Sequence, residues 1–410
     1  MSAPKSTTLW LTWLASRAAF FAIWLIFVPN SQRDVAYYLE SLQRLAEVGP
    51  ARTLIEYPTP VIWLLQIPEV LGGGTLLGYT IAFVGCMLAL DFGMAFWLWR
   101  RGDAASRRGM LVWTIMLLFM GATVYLRFDL LTAVLAGAAI LAVASRRDAV
   151  GGAFTAVGAA LKLWPALLWP ALLVGGRRRS LAATAWFWGS GIVLAVAALL
   201  YGGWARLFTP LQWQSGRGLQ IESIWASVLM VGRAASPQTW DVHLSRWQAF
   251  EIFGPGVRGF LVAASVATVL GLAAIAAGYV WWLRRPTRTP FQGALIMAFV
   301  ICVMIVTGKT FSPQYLMWLA GPLAAAWALS DTNTSDRERR TLSSFTGWAL
   351  ALTLLTQVIY PIGYGQLVDV GWGTWPVTIV LIVRNLGLVA LTIWLGARIV
   401  LDERARRVNA

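Results

Sequence analysis

The sequence predicts an all-α polytopic membrane protein, on three observations. Of its 410 residues, 58% are apolar and 12% are charged, about half the charged share of an ordinary soluble domain. Apolar stretches of roughly 17 to 25 residues recur along the chain, the length a helix needs to cross a bilayer while satisfying its own backbone. The arginines fall in short clusters between those stretches rather than on one amphipathic face. Such clusters mark cytoplasmic linkers, so the net charge of +15 speaks for membrane topology and against a nucleic-acid partner.

Taken in order, Leu9 to Val28 follows a lone lysine, exceeds a signal-peptide core and lacks a small-residue cleavage pattern, so it is expected to remain as a first helix. With a cytoplasmic amino terminus, a polar outer segment follows over about 29–74. Spans at about 75–99, 109–126 and 130–145 then put Arg100, Arg101, Arg107, Arg108, Arg146 and Arg147 inside. Residues 149–174 are apolar but interrupted by Lys162 and Pro165, and Arg177 to Arg179 must also lie inside. Two half-helices meeting near Lys162 answer both demands, because broken backbone is tolerated at membrane depth where it lines a cavity. A span at 181–201 leads to a second outer segment, 202–256, and a helix at 257–282 returns to Arg284, Arg285 and Arg288. Spans near 290–307, 313–329, 342–360 and 376–400, with a third outer segment at 361–375, bring Arg404, Arg406 and Arg407 back to the cytoplasm. The expectation is one integral membrane domain, 1–410, with roughly ten full spans, one broken helix pair and outer interfacial helices. No repeat divides it. Duplicated halves are common in transporters, so one-sided polar mass without them favours a membrane-embedded enzyme whose site opens outward.

The outer segments carry the candidate chemistry. Asn30, Ser31, Gln32 and Arg33 precede Asp34, and Val35, Tyr38, Leu39 and Leu42, followed by Leu45 or Ala46, form an apolar helical stripe, as in a helix lying in the interface. Asp34 at its start is either a helix cap or a carboxylate able to take a proton from a bound hydroxyl. Glu56-Tyr57-Pro58-Thr59-Pro60 holds a carboxylate and a ring on extended chain, either as sugar contacts or as a turn into a short helix, Val61 to Leu71. Arg127 and Asp129, at an outer turn, either pair with each other or bind substrate. Lys162 is an intramembrane cation that either meets an anion such as a lipid phosphate or snorkels to the interface. Gln212, Gln214, Arg217, Gln220 and Glu222 concentrate amides and charge, and amides both donate to and accept from hydroxyls. Lys309 and Gln314 follow on the outer face. Gly308-Lys309-Thr310 is no phosphate-binding loop, because Val303 stands where its leading glycine belongs.

Absences narrow the chemistry. His243 is the single histidine, and Cys86 and Cys302 both lie in apolar stretches, which argues against metal sites, disulfide frameworks and histidine-assisted nucleophiles. No metal or other cofactor is expected.

Asp34, Glu56-Tyr57-Pro58, Arg127-Phe128-Asp129-Leu130-Leu131, Lys162-Leu163-Trp164-Pro165, Gly218-Leu219-Gln220-Ile221-Glu222-Ser223 and Phe311-Ser312-Pro313-Gln314-Tyr315-Leu316-Met317-Trp318-Leu319 resemble, in that order, the pattern of glycosyltransferase family 87. That family is a GT-C group that includes polyprenol-phosphate-mannose-dependent mannosyltransferases of actinobacteria. The resemblance implies a GT-C membrane fold, a multi-pass inner-membrane location with both termini cytoplasmic, and a periplasmic site. It implies metal-independent transfer of a hexose, with mannose expected, from a polyprenyl-phosphate donor to a glycolipid or cell-wall glycan. Asp34 stands at the family's general-base position. Lys162, Arg217 and Lys309 are the cations expected to meet the leaving phosphate, and Glu56, Tyr57, Arg127, Asp129, Gln220, Glu222 and Gln314 the other substrate contacts. Two features depart from the pattern: Glu-Tyr-Pro-Thr-Pro where Tyr-Pro-Pro is usual, and Asn-Ser-Gln-Arg ahead of Asp34. The competing function is a transporter or flippase of a lipid-linked saccharide; a third is an accessory subunit without activity.

Overall fold

The computed structural model describes residues 5–27, 33–331 and 334–408; Asn30, Ser31 and Gln32, ahead of Asp34, lie outside them. Two compact units are present, Met1–Gly216 with Pro286–Met297 and Met317–Asp331, and Arg217–Arg285 with Ala298–Leu316 and Thr332–Ala410.

The first unit opens with α1 (Ser6–Phe27), the short helices α2 (Arg33–Gln43), α3 (Leu45–Val48) and α4 (Pro60–Gly72), then α5 (Leu76–Arg100), α6 (Ala104–Met120), α7 (Asp129–Ala144) and α8 (Asp148–Lys162). A 3₁₀ segment, Trp164–Leu172, leads to α9 (Arg177–Gly202) and α10 (Trp204–Gly216). The expected stripe is the buried face of α2, with Val35, Tyr38, Leu39 and Leu42 turned inward. Lys162 ends its helix as anticipated, and Leu163 follows at a positive φ of 60°. Pro165 and Pro170 then keep the chain in 3₁₀ form, because each proline removes a donor and blocks the α ladder.

Two features of this bundle were not legible as local pattern. Small residues bring helices to backbone contact: a Cβ on Gly321 would overlap the Ala133 carbonyl of α7, and one on Gly152 the Ala183 carbonyl of α9. Packing of this kind replaces the hydrophobic effect where lipid is the solvent. Deep among α1, α5 and α6, Asp91 is fully buried and accepts from Arg17 Nε and Nη2 at 2.7 Å, Trp113 Nε1 at 2.7 Å, Trp13 Nε1 at 3.3 Å and Tyr125 Oη at 2.6 Å.

The second unit contains α11 (Ser227–Ala235), strands β1 (Asp241–Leu244) and β2 (Phe250–Phe253), and α12 (Val257–Leu283). Helix α13 (Pro290–Thr307) runs through segments of both units. Next come a 3₁₀ segment, Pro313–Leu319, and α14 (Ala320–Ala328) of the first unit. The chain then returns to the second unit with α15 (Asp336–Gln357), a π turn at Val358–Ile362, α16 (Tyr364–Val368) and α17 (Thr374–Val408). The hairpin departs from the all-α expectation. It pairs Asp241 with Phe253 and Leu244 with Phe250, and Leu219 and Ile221 extend it through Ile252 N to Leu219 O at 3.0 Å and Ile221 N to Phe250 O at 3.2 Å. β-branched and aromatic residues alternating with charge suit such a half-buried ribbon.

Seven helices among the described residues are long and apolar enough to cross a membrane: α1, α5, α9, α12, α13, α15 and α17. The expected number near ten is not reproduced. Helices α6, α7 and α8 have 17, 16 and 15 residues, and the span expected at 313–329 is a 3₁₀ segment joined to a nine-residue helix. Pro313 and Pro322 account for that break, and α14 is nearly all buried.

Candidate active site

In the first unit the turn that carries Arg127 meets Asp34. Asp34 lies in the first turn of α2, where a carboxylate is favoured by the helix dipole. Its Oδ2 meets Arg127 Nη2 at 2.5 Å, with the two side chains 28% and 20% exposed. Asp129, two residues after Arg127, is ion-paired instead to Lys162 at 2.9 Å, with side chains 1% and 12% exposed. The ends of the Arg-Phe-Asp triplet thus reach separate partners, not the mutual pair that adjacency suggested. The Lys162 ammonium lies 4.9 Å from the Phe128 ring centre, 5.4 Å from that of Tyr57 and 5.9 Å from that of Trp318; Trp318 Nε1 also donates to Asp129 at 2.8 Å. Lys162 therefore has an internal carboxylate and an aromatic box, whereas the sequence had suggested a lipid phosphate or the interface.

Glu56 lies beside the same helix and accepts from Tyr37 Oη at 2.8 Å. Burial, and then the Glu56 charge, push the Tyr37 phenol up, so it remains a donor across the physiological range. Tyr57 packs edge-on to Phe128, with centroids 5.0 Å apart.

Arg206 escaped sequence reading. It is 1% exposed, and its guanidinium donates to the carbonyls of Pro50 at 3.2 Å, Thr53 at 3.2 Å and Leu54 at 3.0 Å. It thereby holds the turn that leads into Glu56 and Tyr57. Burial lowers its pKa, with Glu56 acting in the opposite direction. Nothing local to Arg206 announced those carbonyls.

In the second unit, the segments 217–223 and 308–315 lie side by side. Gln220 N donates to Lys309 O at 3.2 Å and Gln220 Nε2 to Ser312 Oγ at 3.1 Å. The Gln220 and Gln314 side-chain carbonyls are buried with no hydrogen-bond partner among the described residues, a costly state unless a ligand supplies a donor. Lys309 is half-buried; burial lowers its pKa, nearby Arg217 lowers it further, and Glu251 raises it. Glu251 was also missed: it is 1% exposed and accepts from Gly218 N at 2.9 Å, and a Cβ at Gly218 would crowd its carboxylate. Glu222 is fully buried against Arg384 at 3.5 Å, and Arg384 Nη2 donates to the Glu222 carbonyl at 2.9 Å. The Arg384 guanidinium also lies 4.0 Å from the Phe311 ring centre. Arg384 sits in an apolar run that reads as pure span, which is why it was passed over.

The candidate residues thus form two groups, each inside its own unit: Asp34, Glu56, Tyr57, Arg127, Asp129 and Lys162 in one, Arg217, Gln220, Glu222, Lys309 and Gln314 in the other. Among the described residues no group of three or more His, Cys, Asp or Glu side chains is arranged to hold a metal ion.

No curated protein sequence matches the chain significantly. In shape it is similar to ArnT from Cupriavidus metallidurans, whose crystal structure was solved bound to undecaprenyl phosphate. That superposition covers 97% of this chain and 78% of that one, with a TM-score of 0.47 and 15% identity, a likeness too remote to carry an argument. The family model of glycosyltransferase family 87 aligns with residues 57–313, a range that begins at Tyr57, just after Glu56, and ends at Pro313 of Phe311-Ser312-Pro313; Asp34 lies ahead of it. A match over more than half of a multi-pass helical membrane chain assigns this protein to glycosyltransferase family 87.

Proposed function

We propose that this family 87 glycosyltransferase moves a hexose, with mannose the first candidate, from a polyprenyl-phosphate donor to a glycolipid or cell-envelope glycan. The fold would be of GT-C type and the reaction would run on the periplasmic side of the inner membrane. Asp34 acts as general base: it takes the proton of the acceptor hydroxyl as that oxygen attacks the anomeric carbon. The bond from that carbon to the phosphate oxygen breaks, and polyprenyl phosphate leaves. The observation that carries this reading is the Asp34 carboxylate itself. It is partly exposed at the start of an outer helix and held by one guanidinium, while Asp129 and Glu222 are sealed in buried ion pairs.

By their chemistry, Lys309 and Arg217 suit the donor phosphate, and the unpartnered amide oxygens of Gln220 and Gln314 suit sugar hydroxyls.

Purified protein is incubated in detergent with polyprenyl-phosphate mannose and a lipid acceptor extract, and products are weighed by mass spectrometry. Wild type is expected to release polyprenyl phosphate and form a product heavier by one hexose, and Asp34→Asn to lose turnover by roughly 10²- to 10⁴-fold, the usual contribution of a general base. Full turnover by Asp34→Asn removes the base assignment. Absence of any product across a panel of lipid-linked sugars, with flipping observed in vesicles, makes the protein a flippase.

A further inference from the structure

We infer that the Lys162–Asp129 ion pair positions the Asp34 carboxylate, acting through Arg127, and is not a ligand of the donor phosphate; this rests on the proposed role of Asp34. The chain of contacts is short. Asp129 is the first residue of α7, and Lys162, the last residue of α8, grips its Oδ1 at 2.9 Å. Phe128, between Asp129 and Arg127, is fully buried and lies under the Lys162 ammonium at 4.9 Å. The turn Arg127-Phe128-Asp129 is therefore pinned at its ring and its carboxylate, which leaves the Arg127 side chain at its free end to reach Asp34.

Three observations favour this role over phosphate binding. The ammonium already has a carboxylate that is 1% exposed, so a phosphate would have to displace or share an internal anion. The rings of Phe128, Tyr57 and Trp318 also lie within 6 Å of it and stabilise a cation by their faces, while the Trp318 indole N–H is already given to Asp129. The helix is also stopped abruptly after Lys162, with Leu163 at a φ of 60°. That conformation is unfavourable for a leucine and persists only where the surroundings enforce it; ending α8 there puts the ammonium against the head of α7.

A half-exposed carboxylate on a surface helix samples several rotamers unless held, and a base must be held to within about 0.5 Å to act. Arg127 supplies that hold. Partners one step removed from the chemistry typically change activity by about 10- to 100-fold when lost.

The test compares Arg127→Ala, Arg127→Lys, Lys162→Met and the double variant Lys162→Met/Asp129→Asn, using transfer kinetics and inhibition by free polyprenyl phosphate. Expected is a fall in kcat of about 10- to 100-fold in Arg127→Ala, partly restored by added guanidinium or by Arg127→Lys. The same kind of fall is expected in Lys162→Met, with donor KM and polyprenyl-phosphate inhibition unchanged in both. Lys162→Met added to Arg127→Ala should cost little more, because both act through one carboxylate. A large rise in donor KM and loss of polyprenyl-phosphate inhibition in Lys162→Met, with kcat retained, would place Lys162 on the phosphate and overturn the inference. If Lys162→Met alone fails to fold, the double variant carries the test, since it leaves no unpaired charge behind.

Carbodiimide labelling of Asp34, read by peptide mass spectrometry, needs no turnover and separates the two proposals. Faster labelling in both Arg127→Ala and Lys162→Met supports the linkage even if no donor is consumed. Faster labelling in Arg127→Ala alone breaks it even if transfer is robust.

Discussion

Two carboxylates of the first unit, Asp91 and Asp34, have opposite surroundings. Asp91 lies in a helix long and apolar enough to span, with no exposure and five donor contacts from Arg17, Trp13, Trp113 and Tyr125; Asp34 lies in the first turn of the short helix α2, 28% exposed, with one guanidinium at 2.5 Å. An ionised residue within a membrane span is by default a functional candidate, and on that rule Asp91 ranks first. Its surroundings reverse the order. A carboxylate whose oxygens are all engaged has nowhere to accept a substrate proton, so Asp91 joins α1, α5 and α6, while Asp34 is left partly exposed.

The sharpest way to break this comparison is to remove one charge from each site. Arg17→Met strands the buried Asp91, and the loss of a partner from such a pair costs about 3–5 kcal/mol; a large drop in the detergent unfolding temperature is expected. The matched Arg17→Met/Asp91→Leu variant should recover much of it. Asp34→Asn should do the reverse, leaving the unfolding temperature nearly unchanged because a half-exposed pair contributes about 0–1 kcal/mol, while turnover collapses. A stable, inactive Asp91→Asn would erase the distinction.

A smaller effect is expected at the turn clamped by Arg206. Arg206→Met leaves three carbonyls without their donor, so a loss of about 1–3 kcal/mol should appear with faster proteolysis between Pro50 and Glu56. Smaller again is the pH response of Lys309. Its pKa in the folded protein is depressed, mainly by burial, so the native state binds fewer protons than the unfolded chain between the depressed value and the ordinary lysine value. Stability from this group therefore rises with pH across that window, and any anion held by its charge is released as pH rises through the depressed value. Donor KM should climb below the usual lysine range, and Lys309→Arg should move that rise to higher pH. Least of all, Gln220→Ala and Gln314→Ala should each raise donor KM by about 2- to 10-fold, the worth of one neutral hydrogen bond, with kcat nearly intact.

What the sequence disclosed was whatever its neighbours determine. The stripe of Val35, Tyr38, Leu39 and Leu42 is contained within eight positions and became the buried face of α2, and Pro165 announced the break after Lys162. The helices α5, α9, α12 and α13 followed their apolar stretches closely. The break inside 313–329 was hidden because an interrupted, buried stretch is as apolar as a continuous helix, and the hairpin because its strands have four residues each. Partners distant in the chain stayed invisible. Arg127 with Asp34, Asp129 with Lys162, Arg384 with Glu222 and Gly218 with Glu251 are joined by tertiary packing alone, and a charge read without its partner cannot be told from a ligand contact.

The glycine contact between α7 and α14 has a further consequence. With no room for a methyl between Gly321 and the Ala133 carbonyl, the two helices mesh like a key in its ward, and neither can rotate or ratchet past the other without first lifting away. Asp129 rides at the head of α7, so its height in the bilayer is indexed by that contact. A bulkier residue at Gly321 should therefore disturb the charged turn at a distance, by forcing α7 and α14 apart.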